Sequence, residues 1–102
     1  MSDLEKELET ALMQRYDQWR TIGYTATYFK RMLTPGDPIS KGPVATVKHL
    51  MAREGRSLGF ERLLNANKLE WTVEALLQDP KWKPLFKANE IAIAKARLEK
   101  YK

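Results

Sequence analysis

The stretch that decides the fold is "GFERLLNANKLEWTVEALLQDPKWKPLF", residues 59–86. It gathers Trp71, Trp82, Phe60, Phe86 and a dense set of leucines, punctuated by Pro80 and Pro84. Such a density reads either as a binding surface or as the way a small chain closes its core. The spacing favours the core. With Thr72 as a helix N-cap, Trp71 precedes the cap and Leu76 falls at the fourth helical position, which is the arrangement of a hydrophobic staple. Pro80 then closes that helix near Gln78 or Asp79. "DPKWKPLF" becomes a tight turn, read as one turn of helix capped by Asp79 with Pro80 first. With Lys87 as the next N-cap, Phe86 and Ile91 form a second staple and Glu90 is the glutamate of a capping box. Lysine is a poor cap, because its ammonium cannot accept a bond from the orphan amides. Short helices are unstable alone, so their apolar ends have to be packed.

Outward from this stretch the helical pattern continues in both directions. Residues 3–22 place Leu4, Leu8, Leu12, Tyr16 and Trp19 on one stripe, with Ser2 or Asp3 as cap and Gly23 as the stop. Residues 25–33 form a second helix, with Thr25 as cap and Ala26, Phe29, Met32 and Leu33 on one face. "TPGDPISKGP", 34–43, cannot continue a helix. It reads as the one long loop, 34–42, and as the most mobile segment. Pro43 suits the first position of a helix over 43–54, with Val44, Val47, Leu50 and Met51 buried. Ser57 caps a helix over 58–65 that turns Leu58, Leu63 and Leu64 inward, and Asn65 and Asn67 suit its left-handed end. Helices over 73–78 and 88–101 complete the set, the last with Ile91, Ala94, Leu98 and Tyr101 on one face. No convincing strand and no repeat is found. The expected fold is all-α: a compact bundle of roughly five or six short helices in one domain over 1–102, with a helix-turn-helix-like pair at 43–65. Trp19 and Trp71 are expected to be largely buried. Trp82, in a turn between prolines, is expected to be more exposed.

The totals bound the function. A chain of 102 residues is one domain by length,. It can bury one core but not a deep substrate cavity as well. A hydrophobic fraction of 43% argues against global disorder,. The absence of cysteine removes disulfides, thiolate chemistry and cysteine-based metal sites,. No apolar run approaches the ~18 residues of a membrane span, and the acidic, polar start does not read as a signal peptide, so a cytoplasmic location and no membrane partner are expected. The net charge of +5 is uneven. Residues 1–20 carry five acids against three bases, 21–66 carry seven bases against three acids, and 67–102 carry eight against five. A basic body behind an acidic first helix fits an anionic partner.

Five segments carry a resemblance: "GYTATYFKRML" (23–33), "GFERLL" (59–64), "LEWTVEALL" (69–77), "PLF" (84–86) and "EIAIAKARLEKY" (90–101). In this order they resemble a group of short bacterial all-helical proteins and C-terminal tails. That pattern usually has an acid where Glu70 stands and a threonine where Thr72 stands. It often has a hydroxyl or acid cap where this chain has Lys87. The resemblance implies a compact helical unit. It implies no catalytic residue and no activity.

Catalytic chemistry finds little purchase. His49 is the only histidine, mid-helix, and a metal site would need carboxylate company,. Ser2, Ser40 and Ser57 lack a histidine partner signature. Glu54 and Glu61 flank one turn, but an acid pair needs burial and a cleft. "PGDPISKGP" lacks the spacing and the preceding strand of a phosphate loop. No enzyme activity, metal, cofactor or small-molecule substrate is expected.

Two interaction readings remain. The first is nucleic-acid binding through a basic helical face with little sequence specificity. Lys48, Arg53, Arg56 and Arg62, with His49, surround the turn of the 43–65 pair, and Tyr24, Tyr28, Lys30 and Arg31 form an aromatic and basic cluster. Leu58 and Gly59 fall where a recognition helix needs polar side chains, so backbone contact fits better than base reading. The second is a protein-binding adaptor or small inhibitor, for example of a phage, a mobile element or a defence system, that occupies an acidic protein surface. Convergence of Arg31, Lys48, Arg53, Arg56 and Arg62 on one face would favour the first reading. Scattered charge around an apolar face would favour the second.

Overall fold

A computed structural model describes residues 2–53 and 58–101. The described residues form six α-helices and two 3-10 helices, with no strand among them. The order is α1 Asp3–Arg20, α2 Thr27–Leu33, α3 Pro43–Ala52, α4 Leu58–Asn65, a 3-10 turn Leu69–Trp71, α5 Val73–Leu76, a 3-10 helix Pro80–Leu85 and α6 Ala88–Lys100. The Cα radius of gyration is 12.8 Å, close to the ~13 Å of a compact chain of this length.

α1 is the spine. Its N-terminus carries a full capping box: Ser2 Oγ accepts from the Glu5 amide at 3.1 Å, and the Glu5 carboxylate accepts from the Ser2 amide at 3.3 Å,. Leu8, Leu12, Tyr16 and Trp19, the stripe read from the sequence, are all buried. The helix stops at Arg20 rather than at Ile22, and Gly23 at φ +81° lets the chain reverse so that the Tyr24 amide reaches the Trp19 carbonyl at 3.0 Å,.

α2 starts at Thr27, two residues later than expected, with Ala26 at its N-cap and no side-chain cap; Thr25 is not the cap. The loop that follows is well tied. The Lys41 and Gly42 amides both donate to the Met32 carbonyl (2.8 and 3.2 Å), and Asp37 accepts from the Ile39 amide and from Arg31. These bonds tie the loop to the end of α2 and the start of α3. Pro43 opens α3 as expected, and Thr46, unremarked in the sequence, is fully buried because its hydroxyl donates to the Gly42 carbonyl at 2.6 Å,. α3 is shorter than 43–54. The expected Ser57 cap and the turn of the helix-turn-helix-like pair lie outside the described residues. α3 packs on α1, α2 and α6, whereas α4 packs chiefly on the 3-10 turn behind it. In α4 the buried residues are Phe60 and Leu63, while Leu64 is half-buried. Asn67 takes the left-handed conformation at φ +59°.

Residues 69–86 resolve as core. Thr72 caps α5, accepting from the Ala75 amide at 3.0 Å, and Val73, Leu76 and Leu77 are buried. α5 is only four residues long, preceded by the 3-10 turn. Trp71 is half-buried, and its carbonyl accepts the Trp19 indole N–H at 2.8 Å across the molecule. Asp79 caps the next segment by accepting from the Lys81 amide at 3.0 Å. Here one expectation fails: Trp82 is buried, at 5% exposure. The 3-10 helix between the prolines folds back onto α1, so the turn aims the indole inward beside Lys6, Thr10 and Gln14. At α6 the Lys87 amide donates to the Glu90 carboxylate at 2.8 Å, the half of the capping box that lysine does not spoil,.

Candidate functional site

An apolar concavity with aromatic walls is lined by residues of α2, α3 and α4 and by the start of α5. It is a groove of about 290 Å³. Trp19, Phe29, Met32, Phe60 and Leu63 supply apolar surface, Tyr24 and Tyr28 stand at the α2 side, and His49 and Arg53 stand at the end of α3. Tyr28 is 56% exposed, the most exposed large hydrophobic among the described residues. Tyr24 is half-buried between Trp19, 5.6 Å away by ring centroids, and the Arg62 guanidinium, 5.9 Å from its ring. Burial pushes the Tyr24 phenol pKa up, and Arg62 only partly opposes this, so the hydroxyl stays protonated at neutral pH,. At Gly59 α4 comes close to Tyr24: a Cβ there would lie 2.8 Å from the phenol oxygen.

Glu74, 5% exposed, is also among the residues that line the groove. Burial pushes its carboxyl above the usual range even though Arg97 lies beside it,. Arg97 Nη1 is 3.3 Å from the Glu74 carboxylate and 3.2 Å from the Leu50 carbonyl, while Nη2 donates to the carbonyls of Met51 and Arg53. One guanidinium therefore closes the C-terminus of α3, satisfying carbonyls that the helix leaves orphaned. Neither residue was singled out from the sequence. The signals were available: Glu74 is the one charge inside "VEALL", and Arg97 shares a face with Ala94, Leu98 and Tyr101.

The eight residues proposed from the sequence separate. Tyr24, Tyr28 and Arg53 line the groove and Arg62 covers Tyr24 at its edge. Among the described residues no carboxylate pairs with Arg53 or Arg62. Lys30 points away, its ammonium 5.4 Å from the Tyr16 ring. Arg31 is held by Asp37 at 3.1 Å; this bond, together with the Ile39 amide, keeps the Asp37 carboxyl below its usual range. Lys48 is turned to α6, 3.0 Å from Glu90. Arg56 and Glu54 lie outside the described residues. His49 is exposed on the groove side, and among the described residues no three metal-ligating side chains cluster. A second recess, between α1 and the Pro80–Leu85 helix, is more open, with a volume of about 390 Å³, and is bridged by the exposed Lys81–Glu7 pair at 3.1 Å. No helix of the described residues is long and apolar enough to cross a membrane.

No family model, no curated protein and no solved structure matches this chain. The functional reading therefore rests on the groove.

Proposed function

We propose that this protein is an interaction module that holds a segment of a protein partner in the α2–α3–α4 groove. The observation that carries the reading is the groove's composition: apolar walls, the exposed Tyr28, and Arg53 and Arg62 at its edge. Binding along a phosphate backbone draws on several cations on one face. Here Arg31 and Lys48 are engaged by Asp37 and Glu90 and are not among the residues that line the groove. A concave apolar surface with an aromatic lip suits a protein side chain better than a chain of phosphates. The basic edge favours an acidic partner and steers its approach.

The test is capture of partners from the protein's own cells, with and without nuclease, by wild type, by Tyr28→Ala and by Arg53→Glu/Arg62→Glu. A nuclease-resistant partner lost in both variants is expected. Nuclease-sensitive capture would replace this reading with the second one, single-stranded nucleic acid. That reading draws on the same Tyr24 and Tyr28 as stacking platforms. With two arginines at the groove, log affinity would then fall against log salt with a slope of only about −1.4.

A further inference from the structure

We infer that the groove selects an acidic segment anchored by an aromatic side chain that bears a hydrogen-bond donor, tryptophan or tyrosine, and that Glu74 is the acceptor for that donor. The inference rests on the protein-partner reading above and adds the chemistry of the anchor.

The groove's volume, about 290 Å³, lies at the low end for small-molecule pockets, which run from roughly 300 to 1,000 Å³. It has room for one large side chain. Its walls are aromatic and aliphatic, so that side chain is apolar over most of its surface. The lining also includes a buried acid, Glu74, whose carboxylate lies 3.3 Å from Arg97. Arg97 supplies a donor to that carboxylate, and a carboxylate offers about four acceptor directions. An occupant that covers Glu74 without offering a donor strips solvent from remaining acceptor capacity, which is costly in a buried site.

The candidates for the anchor sort by chemistry. A leucine or phenylalanine fills the walls but leaves Glu74 without its donor. An aspartate or glutamate anchor would bring a second carboxylate against Glu74. A lysine or arginine would satisfy Glu74 but must pass Arg53 and Arg62, with Arg97 directly behind the carboxylate. Tryptophan and tyrosine carry a flat apolar body with one neutral donor, and when buried they usually find a partner for it. They are also the side chains that most often dominate binding interfaces. Acidic residues on either side of the anchor would then meet Arg53 and Arg62 at the groove's edge.

The experiment changes the probe and leaves the protein intact, so folding is not at issue. Acetylated and amidated peptides Glu-Asp-Trp-Asp-Glu and Glu-Asp-Tyr-Asp-Glu are titrated into the full chain, followed by the amide resonances of Gly59 and Phe60 and the indole resonance of Trp19. Each is compared with its twin in which the indole nitrogen or the phenol oxygen is methylated, and with the leucine peptide. The expected result is shifts at the groove, and affinity for at least one donor-bearing peptide higher than for its methylated twin by about fivefold or more. Equal affinity of twin and parent at the groove overturns the role of Glu74 and leaves the groove reading intact. Silence from every acidic peptide, beside nuclease-resistant and Tyr28-dependent capture of a partner, overturns the anchor chemistry alone. Groove shifts produced instead by an oligothymidylate strand, with nuclease-sensitive capture, overturn both.

Discussion

Arg97 and Glu74, from α6 and α5, meet at 3.3 Å with side chains 13% and 6% exposed, and the same guanidinium closes the end of α3. Three helices are thus pinned at one point beside the groove. The planar fork of arginine allows this, since it presents several donors in fixed directions.

Arg97→Met should destabilise the protein by about 3–5 kcal/mol, because it leaves a buried carboxylate uncompensated. Arg97→Lys should recover little, since one ammonium cannot reach both the carboxylate and the α3 carbonyls. The double variant Arg97→Met/Glu74→Met should be less damaged than Arg97→Met alone, yet below wild type, because the α3 carbonyls still lack their donor. Urea midpoints at constant m-value give the ranking. A double variant no better than Arg97→Met would show that the charge is not what matters.

The pH dependence of stability should have two opposing parts. Asp37 and Glu90 are held below their usual values of 3.8 and 4.5. For Asp37 the cause is first the Arg31 bond. For Glu90, burial pulls upward but the Lys87 amide and Lys48 together outweigh it. Their contributions are present above those usual values and are lost as pH falls through the depressed pKa values. Glu74 is raised above its usual 4.5 by burial. Its folded form binds the proton more readily, so its effect has the opposite sign: stability falls as pH rises above 4.5 through the raised value. Melting temperature against pH should show Asp37→Asn flattening the acid limb and Glu74→Gln flattening the decline above 4.5. A Glu74→Gln profile parallel to wild type above 4.5 would contradict the assignment.

Gly59→Ala should fail to deliver the roughly 1 kcal/mol that alanine normally gains over glycine within a helix. The new Cβ would stand 2.8 Å from the Tyr24 hydroxyl and 3.3 Å from its ring, and that ring is backed by Trp19. A net loss of about 1 kcal/mol is expected, of the kind caused by overpacking. In a Tyr24→Phe background, which removes the nearest atom, the same substitution should cost less. A double-mutant cycle by thermal unfolding measures the coupling; zero coupling would remove the contact from the account.

Trp82→Ala should cost about 3–5 kcal/mol, as for a fully buried tryptophan, and more than Trp71→Ala. Trp82 is 5% exposed, whereas Trp71 is half-buried. Single-tryptophan variants should show slower acrylamide quenching at position 82 than at 71. The reverse order would mean that the Pro80–Leu85 helix does not rest on α1.

Helix identity and most of the caps are legible in the chain itself because they are local. Ser2, Thr72, Asp79 and the Lys87–Glu90 half-box each act within three residues, and the α1 stripe follows from one helical period,. The positions that misled are those where an element's partner lies far along the chain. Trp82 sits in a turn by any local rule and is buried because the turn lands on α1, at the far end of the sequence. Thr25 has the chemistry of a cap but lies one residue outside the place where Gly23 and the Trp19 carbonyl set the start of α2.

The sequence by itself therefore determined an all-helical chain, its punctuation and the residues able to form its core, since these depend on backbone propensity and spacing. Only the tertiary structure decided which charges meet. Arg31 and Lys48 look available in the sequence and are engaged by Asp37 and Glu90; Arg97, not singled out in the sequence, is half-buried against Glu74; Tyr24, Tyr28, Arg53 and Arg62 come together at one groove. The reason is physical: a charge's partner is fixed by distance through space, and in a bundle of short helices that distance is set by how the helices cross.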